Sequence, residues 1–364
     1  MTEMRRLSII IPSYNACALL RRTLRTLAVA APDAEVIVVD GASHDGSPEM
    51  VRAEFPSAIL LELQNHGFGH STNRGLEAAT GEFLLLCNSD LFVSRSALET
   101  MQARLASDKL LAGVGPLLLN EDGSRQHVFG AFYLPNWLPI KTPTRVPLVS
   151  GACLMTRRDV LQAIGALDEN FFLYNEEWDW CARALRAGYH LELVPEEVVH
   201  VGGGSTSRSP ELRLEAQRGF LYLAQKHAPA VVLQGLRRAM QFEGFCYKRM
   251  DPRPRHRAMW AQLESLSERE AYLESPFQLS GRGDLPAQAM HWHGETANGE
   301  REPVTGRHSI PRIEAHRVES QRVEAQRADD EAARVEAPAK DGVRRIDRSR
   351  VVPLRAPKLA RAGS

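Results

Sequence analysis

Two clusters of polar side chains follow apolar runs and are placed to hold or move charge. Asn88-Ser89-Asp90 comes directly after Phe83-Leu84-Leu85-Leu86-Cys87. A carboxylate at the open end of a buried strand suits a hard divalent cation, Mg2+ or Mn2+, whose remaining positions diphosphate oxygens and water would fill. An Asp that opens a turn is common for conformational reasons alone, so this triplet gains weight only from its company. That company is Phe171-Phe172-Leu173-Tyr174-Asn175-Glu176-Glu177-Trp178-Asp179, three carboxylates beside aromatic residues at a helix start. The helix dipole favours acids there and accounts for one or two of them. The aromatic loop before them would lower the local dielectric and lift one carboxyl toward the range of a general base. His200 ends an extended apolar run, and a neutral imidazole there is a candidate second metal ligand. The glycines after it, with Ser205 and Thr206, offer backbone N–H groups to phosphate, although such a loop is equally a hinge.

These groups need a scaffold that gathers strand ends on one edge. Leu7 to Ile11, Glu35 to Asp40, Ala58 to Glu62 and Glu82 to Leu86 read as short buried strands. Helical patterns from Ala18 to Val29 and Ser71 to Ala79 fall between them. Strands alternating with helices, each buried on both faces, argue for a mostly parallel α/β sheet, and ligands of such sheets sit beyond the carboxyl ends of the strands. Asn15, Asp40, Asn65 to Gly69 and Asn88 to Asp90 all follow strand ends, so four polar turns converge on one rim. The second half reads as a mixed sheet: a strand-like Leu148 to Met155, a helix near Arg158 to Ile164, a helix from Glu177 to Ala187, an extended Glu192 to His200, and a helix from Glu211 to His227. Gly130 to Leu138 is rich in aromatics and is a candidate acceptor lid, though aromatics mostly sit in cores.

Composition sets the outer limits. The chain has 364 residues, 45 of them basic and 45 acidic, so no global charge argument supports nucleic acid or another bulk polyanion as partner. Its five cysteines are odd in number and widely spaced, which suits buried thiols in a reducing compartment. The apolar run at the N-terminus stops at Pro12 and reads as a strand, and no stretch approaches the roughly 18 apolar residues that span a bilayer. A cytoplasmic protein, soluble or peripheral at the inner face of the membrane, is expected. Apolar runs end near Asp251, which divides the chain into a catalytic domain over 1–250, an amphipathic helix docked within 251–275, notably Trp260 to Leu273, and an Arg/Glu/Pro-rich tail over 276–364 expected to be disordered. The basic end of that tail, Arg344 to Arg361, is a candidate for contact with anionic lipid, against the plainer reading of a solvated tail.

Seven ordered blocks over about 200 residues give the chain a resemblance to the family 2 glycosyltransferases of GT-A fold, and within them to bacterial rhamnosyltransferase-like enzymes. The blocks are Ile10 to Asn15, Val36 to Ser47, Asn65 to Gly69 with Asn73 and Gly75, Asn88 to Asp90, Ser150-Gly151-Ala152, Asp168 to Tyr174, and His200. The resemblance implies a mixed, mostly parallel sheet flanked by helices, its first half a Rossmann-like nucleotide-binding unit. It implies that Pro12, Tyr14, Asn15, Asp40 and Ser43 hold base and ribose. Asn65, Gly69, Asn73, Asn88 and Ser89 would line the donor pocket, and Asp90 with His200 would hold the metal. The family's Glu-Asp pair matches Glu176-Glu177, a carboxylate one methylene longer at the second place. Glu177 is favoured as base with Glu176 as orienter, while Gly151, Tyr174, Trp178 and Asp179 fall toward the acceptor.

The expected activity is inverting, metal-dependent transfer of a sugar, with rhamnose as candidate, from a dTDP- or UDP-linked donor to a hydroxyl of a glycan or lipid-linked acceptor in cell-surface polysaccharide synthesis. Two rivals differ in class. A catalytically weak nucleotide-sugar- or glycan-binding homologue would fit the Asn88 and Glu177 departures, and turnover with and without divalent cation separates it. A nucleotidyltransferase would need a glycine-rich, lysine-bearing phosphate loop, which Pro12-Ser13-Tyr14-Asn15 is not.

Overall fold

The computed structural model describes residues 6–126, 140–202, 210–268, 271–273 and 275. Gly130 to Leu138, Ser205, Thr206 and the segment 276–364 fall outside these residues, and with them the expectations of an acceptor lid, a phosphate turn and a disordered tail.

The chain opens with β1 (Leu7–Ser13), α1 (Cys17–Ala30), β2 (Glu35–Asp40), α2 (Ser47–Glu54), β3 (Ile59–Glu62), α3 (Phe68–Ala78) and β4 (Phe83–Cys87). Every residue of β1 and β4 is buried. Ile9 and Ile11 join the hydrophobic cluster on one face of the sheet, which includes Leu20, Leu24 and Leu27 of α1. Ile10 joins the cluster on the other face, with Leu76 of α3. Burial of each such side chain contributes about 1.5–3 kcal/mol, so β1 anchors both layers at once. The layers lie close. A Cβ on Gly75 of α3 would stand 2.4 Å from Ile10 Cγ2, so the helix sits where only glycine lets it.

The rest follows as β5 (Leu91–Phe92), α4 (Arg95–Ser107), β6 (Leu111–Leu119), β7 (Thr144–Val146), β8 (Cys153–Arg157), α5 (Arg158–Ile164), α6 (Glu176–Arg186), β9 (His190–His200), α7 (Pro210–His227), α8 (Ala230–Met250) and α9 (Pro254–Glu268). The sheet order is β3-β2-β1-β4-β8-β6-β9-β5, with β7 on β9. The pairs β3-β2, β2-β1 and β1-β4 are parallel. β8 runs antiparallel to both β4 and β6, and β6 pairs parallel with β9. This is the mixed α/β sheet expected, parallel in its first half and mixed beyond it. Its registers gather the site: Ser13 pairs with Asp40, Asp40 with Glu62, Cys87 with Cys153, and Leu91 with His200. The ends of β1–β4 and β9 and the start of β8 therefore share one rim.

Three local readings are corrected. Leu148 to Ala152 is not strand: Cys153 N donates to Ser150 O and Ala152 N to Ser150 Oγ, which makes a turn before β8 begins at Cys153. Ser47 belongs not to the preceding turn but to α2, where Pro48 occupies an early position that needs no intrahelical N–H bond. The helix expected over Trp260 to Leu273 starts earlier, at Pro254, ends at Glu268, and is followed by a 3-10 turn, Ala271–Leu273. α9 shares a hydrophobic cluster with α7 and α8, including Leu214, Met240, Trp260 and Leu263. Gly244 of α8 lies so close that a Cβ there would come within 2.7 Å of Trp260 O.

Candidate active site

At the β1–β2 end the turns are tied side chain to backbone. Asn15, in a left-handed conformation (φ 48°), receives His44 N at Oδ1 (2.8 Å) and donates its own N–H to Ser43 Oγ (2.8 Å). Asp40 Oδ1 accepts Ser43 N at 2.8 Å. Asp40 Oδ2 and the neighbouring Ser13 Oγ are buried with no partner among the described residues. Burial raises the Asp40 carboxyl above its ordinary range, against the pull of Ser43. A buried polar atom without a partner costs free energy, and these two lie side by side at the paired ends of β1 and β2. Pro12 is buried in β1, while Tyr14 and Asn15 reach the surface beside it.

Asn65 accepts Gly67 N at Oδ1 (3.1 Å), and its Cγ would lie 3.4 Å from a Cβ on Gly41, so this turn leans on the end of β2. Gly67 (φ +102°) presses against the acidic loop. A Cβ there would stand 2.3 Å from Phe172 O, and Phe68 N donates to that same oxygen at 2.7 Å. Gly69 packs on Asp168 O in the same way, at 3.4 Å. Asn73 does not stand on this rim as an open group. It donates to Leu167 O (2.9 Å) and Glu169 Oε1 (2.8 Å) and accepts Leu167 N (3.1 Å), clamping α3 to the start of the acidic loop. Glu169, held also by His70 and Arg74, is ionised with its carboxyl lowered to about 2, the hydrogen bonds outweighing its burial.

Beyond β4, Asn88 N donates to Ala152 O (3.0 Å), and the buried Ser89 accepts Thr23 Oγ1 at its carbonyl (2.9 Å). Asp90 is buried, its Oδ2 accepting Gly202 N at 3.0 Å and its Oδ1 lying 3.2 Å from His200 Nε2. Asn88 Nδ2 is 3.1 Å from that same nitrogen. On the far side of the ring, Nδ1 lies 2.8 Å from Gln126 Oε1, an amide oxygen that can only accept. Nδ1 therefore donates to that oxygen, and Nε2 faces Asp90 and Asn88. Gln126 in turn donates to His200 O and to Asn120 Oδ1 (3.0 Å). Gln126 was invisible in the sequence, because its partner lies 74 residues away and only the turn-forming Asn120 to Ser124 marks its neighbourhood.

Tyr174 (φ 70°) and Asn175 (φ 74°) are consecutive left-handed residues that turn the chain sharply into α6. Asn175 is anchored by its amide to Ala216 O of α7 (3.1 Å). Glu176 is buried with Oε2 lacking a partner among the described residues. Burial, then the neighbouring Glu177 charge, hold its carboxyl well above the ordinary range. Glu177 is pushed up to about 7 by burial, against backbone hydrogen bonds. Its side chain lies along Gly151, where a Cβ would be 3.3 Å from Glu177 Cβ, and it borders a small apolar cavity lined by Leu76, Leu86, Leu154 and Trp180. Gly151 precedes Ala152, whose carbonyl holds Asn88 N, so Glu177 and Asp90 are linked through one turn. Trp178 is half-buried on this turn and Tyr174 is 40% exposed. Asp179 is turned away. It is fully buried and paired with Arg183 (2.8 Å), Lys226 (2.5 Å) and His227 (2.8 Å), so it ties α6 to α7 and is not open to an acceptor.

Among the described residues one other group has metal-ligating side chains close together: Asp108, His190 and Glu192, with ligand atoms within 4.8 Å. It lies at the start of β9, opposite the rim, and Arg104 already grips Glu192 through both oxygens (2.8 and 3.0 Å).

Residues 8–165 match glycosyl transferase family 2. Over that stretch the chain is similar to the family. The chain is 26% identical over 261 residues to the N-acetylglucosaminyl-diphospho-decaprenol L-rhamnosyltransferase of Mycobacterium tuberculosis, which covers 61% of this chain and 85% of that protein. It is 28% identical over 141 residues to the low-salt glycan biosynthesis hexosyltransferase Agl10 of Haloferax volcanii, over 35% of this chain and 46% of that one. In fold it is similar to GalNAc-T7, a structure with UDP, GalNAc and Mn2+, with a TM-score of 0.50 and 16% identity over 76% of this chain and 56% of that chain. The chain thus has the expected GT-A fold, is rhamnosyltransferase-like in sequence, and has a relative named for glycan biosynthesis.

Proposed function

We propose that this glycosyltransferase inverts configuration at the sugar it transfers, needs a divalent cation, and uses Glu177 as its general base. The observation that carries the reading is a carboxyl lifted to about 7 at the first turn of α6, joined through Gly151 and Ala152 to the turn that bears Asp90. A base of that strength is half-ionised near neutral pH yet basic enough to take a hydroxyl proton. Glu176, neutral and inside, is the orienter.

In this scheme Glu177 accepts the acceptor's O–H proton while the oxygen bonds to the anomeric carbon from the face opposite the diphosphate. The old glycosidic bond breaks and its electron pair leaves with the diphosphate. Asp90 and His200 suit a cation. Their facing atoms, a carboxylate oxygen and an imidazole nitrogen, lie 3.2 Å apart, a donor set that a divalent cation accepts. When bound, Mg2+ or Mn2+ would neutralise charge growing on the departing diphosphate. Asp40 and Ser13, with unmet hydrogen-bonding capacity, would take the base and ribose, helped by Pro12, Tyr14, Asn15 and Ser43. Asn65, Gly69, Asn88 and Ser89 stand along the donor's path, and Asn73 supports them from behind. Gly151, Trp178 and Tyr174 face the acceptor.

The rhamnosyltransferase from M. tuberculosis is named for a sugar-diphospho-lipid acceptor, which supports a lipid-linked acceptor here and a working place at the inner face of the membrane. A donor screen with dTDP- and UDP-linked sugars, read by released nucleoside diphosphate with and without Mn2+, tests the proposal. Release that is indifferent to chelator refutes the metal, and a product that retains the donor's anomeric configuration refutes inversion.

A further inference from the structure

α8 carries an outward face that its packing does not use. Leu233, Met240 and Gly244 turn inward on this helix, toward the cluster shared with α7 and α9. At a helical repeat of about 3.6 residues, the opposite line runs Val231, Arg238, Phe242, Phe245 and Arg249, with Met250 at its edge. Phe242 is 69% exposed, Met250 74% and Val231 76%, and Phe242 is the most exposed aromatic among the described residues. The cations belong to the same line. Arg249 lies over the Phe245 ring at 3.8 Å, and Arg238 has no partner among the described residues. α8 as a whole has four basic residues, Arg237, Arg238, Lys248 and Arg249, against the single acid Glu243.

We infer that this face of α8 is a docking surface for an anionic lipid bilayer, the helix lying in the plane of the interface with Phe242 and Phe245 below the headgroups and Arg238 and Arg249 among them. An apolar stripe edged by arginine is the pattern of an interfacial helix, because the guanidinium groups reach anionic headgroups while rings and aliphatic stems enter the acyl boundary. The stripe from Val231 to Met250 is about 29 Å long, at 1.5 Å per residue. No helix among the described residues is long and apolar enough to cross a membrane, so contact through this helix is lateral. Two other occupants suit the stripe less well. A second copy of the chain would set a cationic face against its own kind. The C-terminal segment has no Phe, Tyr or Trp after Trp292, so beyond that point it offers the exposed rings no aromatic partner.

This deepens the reading of a lipid-linked acceptor and rests on it for its purpose. Vesicle binding is measured without donor or acceptor, so the two fail separately. Flotation of the full chain with vesicles of phosphatidylcholine, alone or with about 30% phosphatidylglycerol, is the test. Binding should need the anionic lipid and weaken with salt. The double substitution Phe242→Glu and Phe245→Glu should abolish it, and Arg238→Gln with Arg249→Gln should weaken it roughly 25-fold, while circular dichroism and the thermal midpoint stay unchanged. Three results would overturn the inference: wild type that ignores anionic vesicles, a Glu double variant that floats as well as wild type, or a wild-type dimer that the Glu substitutions dissociate. The second result would assign membrane contact to another part of the chain, such as the basic C-terminal stretch.

Discussion

The first turn of α6 places three carboxyls within four residues and treats them in opposite ways. Asp179 is fully buried, yet Arg183, Lys226 and His227 surround it and hold its carboxyl below the ordinary range despite the cost of burial. Glu176 and Glu177 face a site with no cation among the described residues, and both are raised. The helix dipole acts on all three alike, so it cannot be the cause of the difference. The cause is the set of counter-charges around Asp179, Arg183 one turn on in α6 and Lys226 and His227 from α7. A buried acid given counter-charges becomes a fastener, and one denied them keeps its affinity for protons and becomes a reagent.

The sharpest way to break this comparison is Glu177→Gln, which keeps the shape and removes the base. We expect sugar transfer to fall about 10²- to 10⁴-fold with nucleotide affinity retained; a variant that transfers at near wild-type rate would falsify the base assignment. Glu177→Gln should also resist unfolding better than wild type at alkaline pH. A carboxyl whose folded pKa is raised contributes stability at low pH that is lost as pH climbs through about 7, and the amide has nothing to lose. Denaturant titrations of both proteins at pH 6 and pH 9 (about one unit below and two above that value) would expose the difference.

Next in size, Asp179→Ala should cost about 3–5 kcal/mol of stability, since it leaves Lys226 and His227 without their buried partner. Catalysis by the molecules that remain folded should change far less. A loss of turnover at full stability would make Asp179 part of the chemistry. The sign of its pH dependence is opposite to that of Glu177: a depressed carboxyl stabilises above its unfolded value, and that share is lost as pH falls through the folded one.

Asp90→Ala probes the neighbouring rim. Metal-dependent donor affinity should collapse by calorimetry, with affinity in the presence of chelator little changed; equal metal dependence in the two proteins would remove Asp90 from the cation site. The smallest effect concerns the pH profile. Transfer should rise with pH through about 7 as Glu177 ionises, and Glu176→Gln should leave that midpoint nearly in place, since burial lifts Glu177 and Glu176 stays neutral there; a large displacement would make Glu176 the titrating group.

Much of this scaffold was readable from residue order. β2 spans Glu35–Asp40 and α5 spans Arg158–Ile164, as the apolar and helical patterns indicated, because local periodicity decides a strand or helix buried in the standard way. Leu148 to Ala152 misled because the run Val-Pro-Leu-Val is apolar for packing reasons while Ser150-Gly151 makes a turn. Which polar side chains belong to the rim and which are clamps was not readable, since that depends on partners far along the chain. Asn73 is spent on Leu167 and Glu169, and Asp179 on Lys226 and His227, each separated by tens of residues. Gln126 and Glu215 show the converse. Glu215 accepts Phe172 N (3.3 Å) and pairs in the interior with Arg218 (2.7 Å), which also holds Asn170 O, so a helix with no motif of its own fixes the acidic loop.

The contact of Gly67 with the Phe172 carbonyl bears on redesign. The turn proposed to border the donor and the loop proposed to deliver the base share one seam, too tight for any side chain at position 67. Chimaeras that import 65–69 from a cousin of different sugar preference while keeping the native 168–175 would meet a mismatched surface, so the two stretches are a single graft.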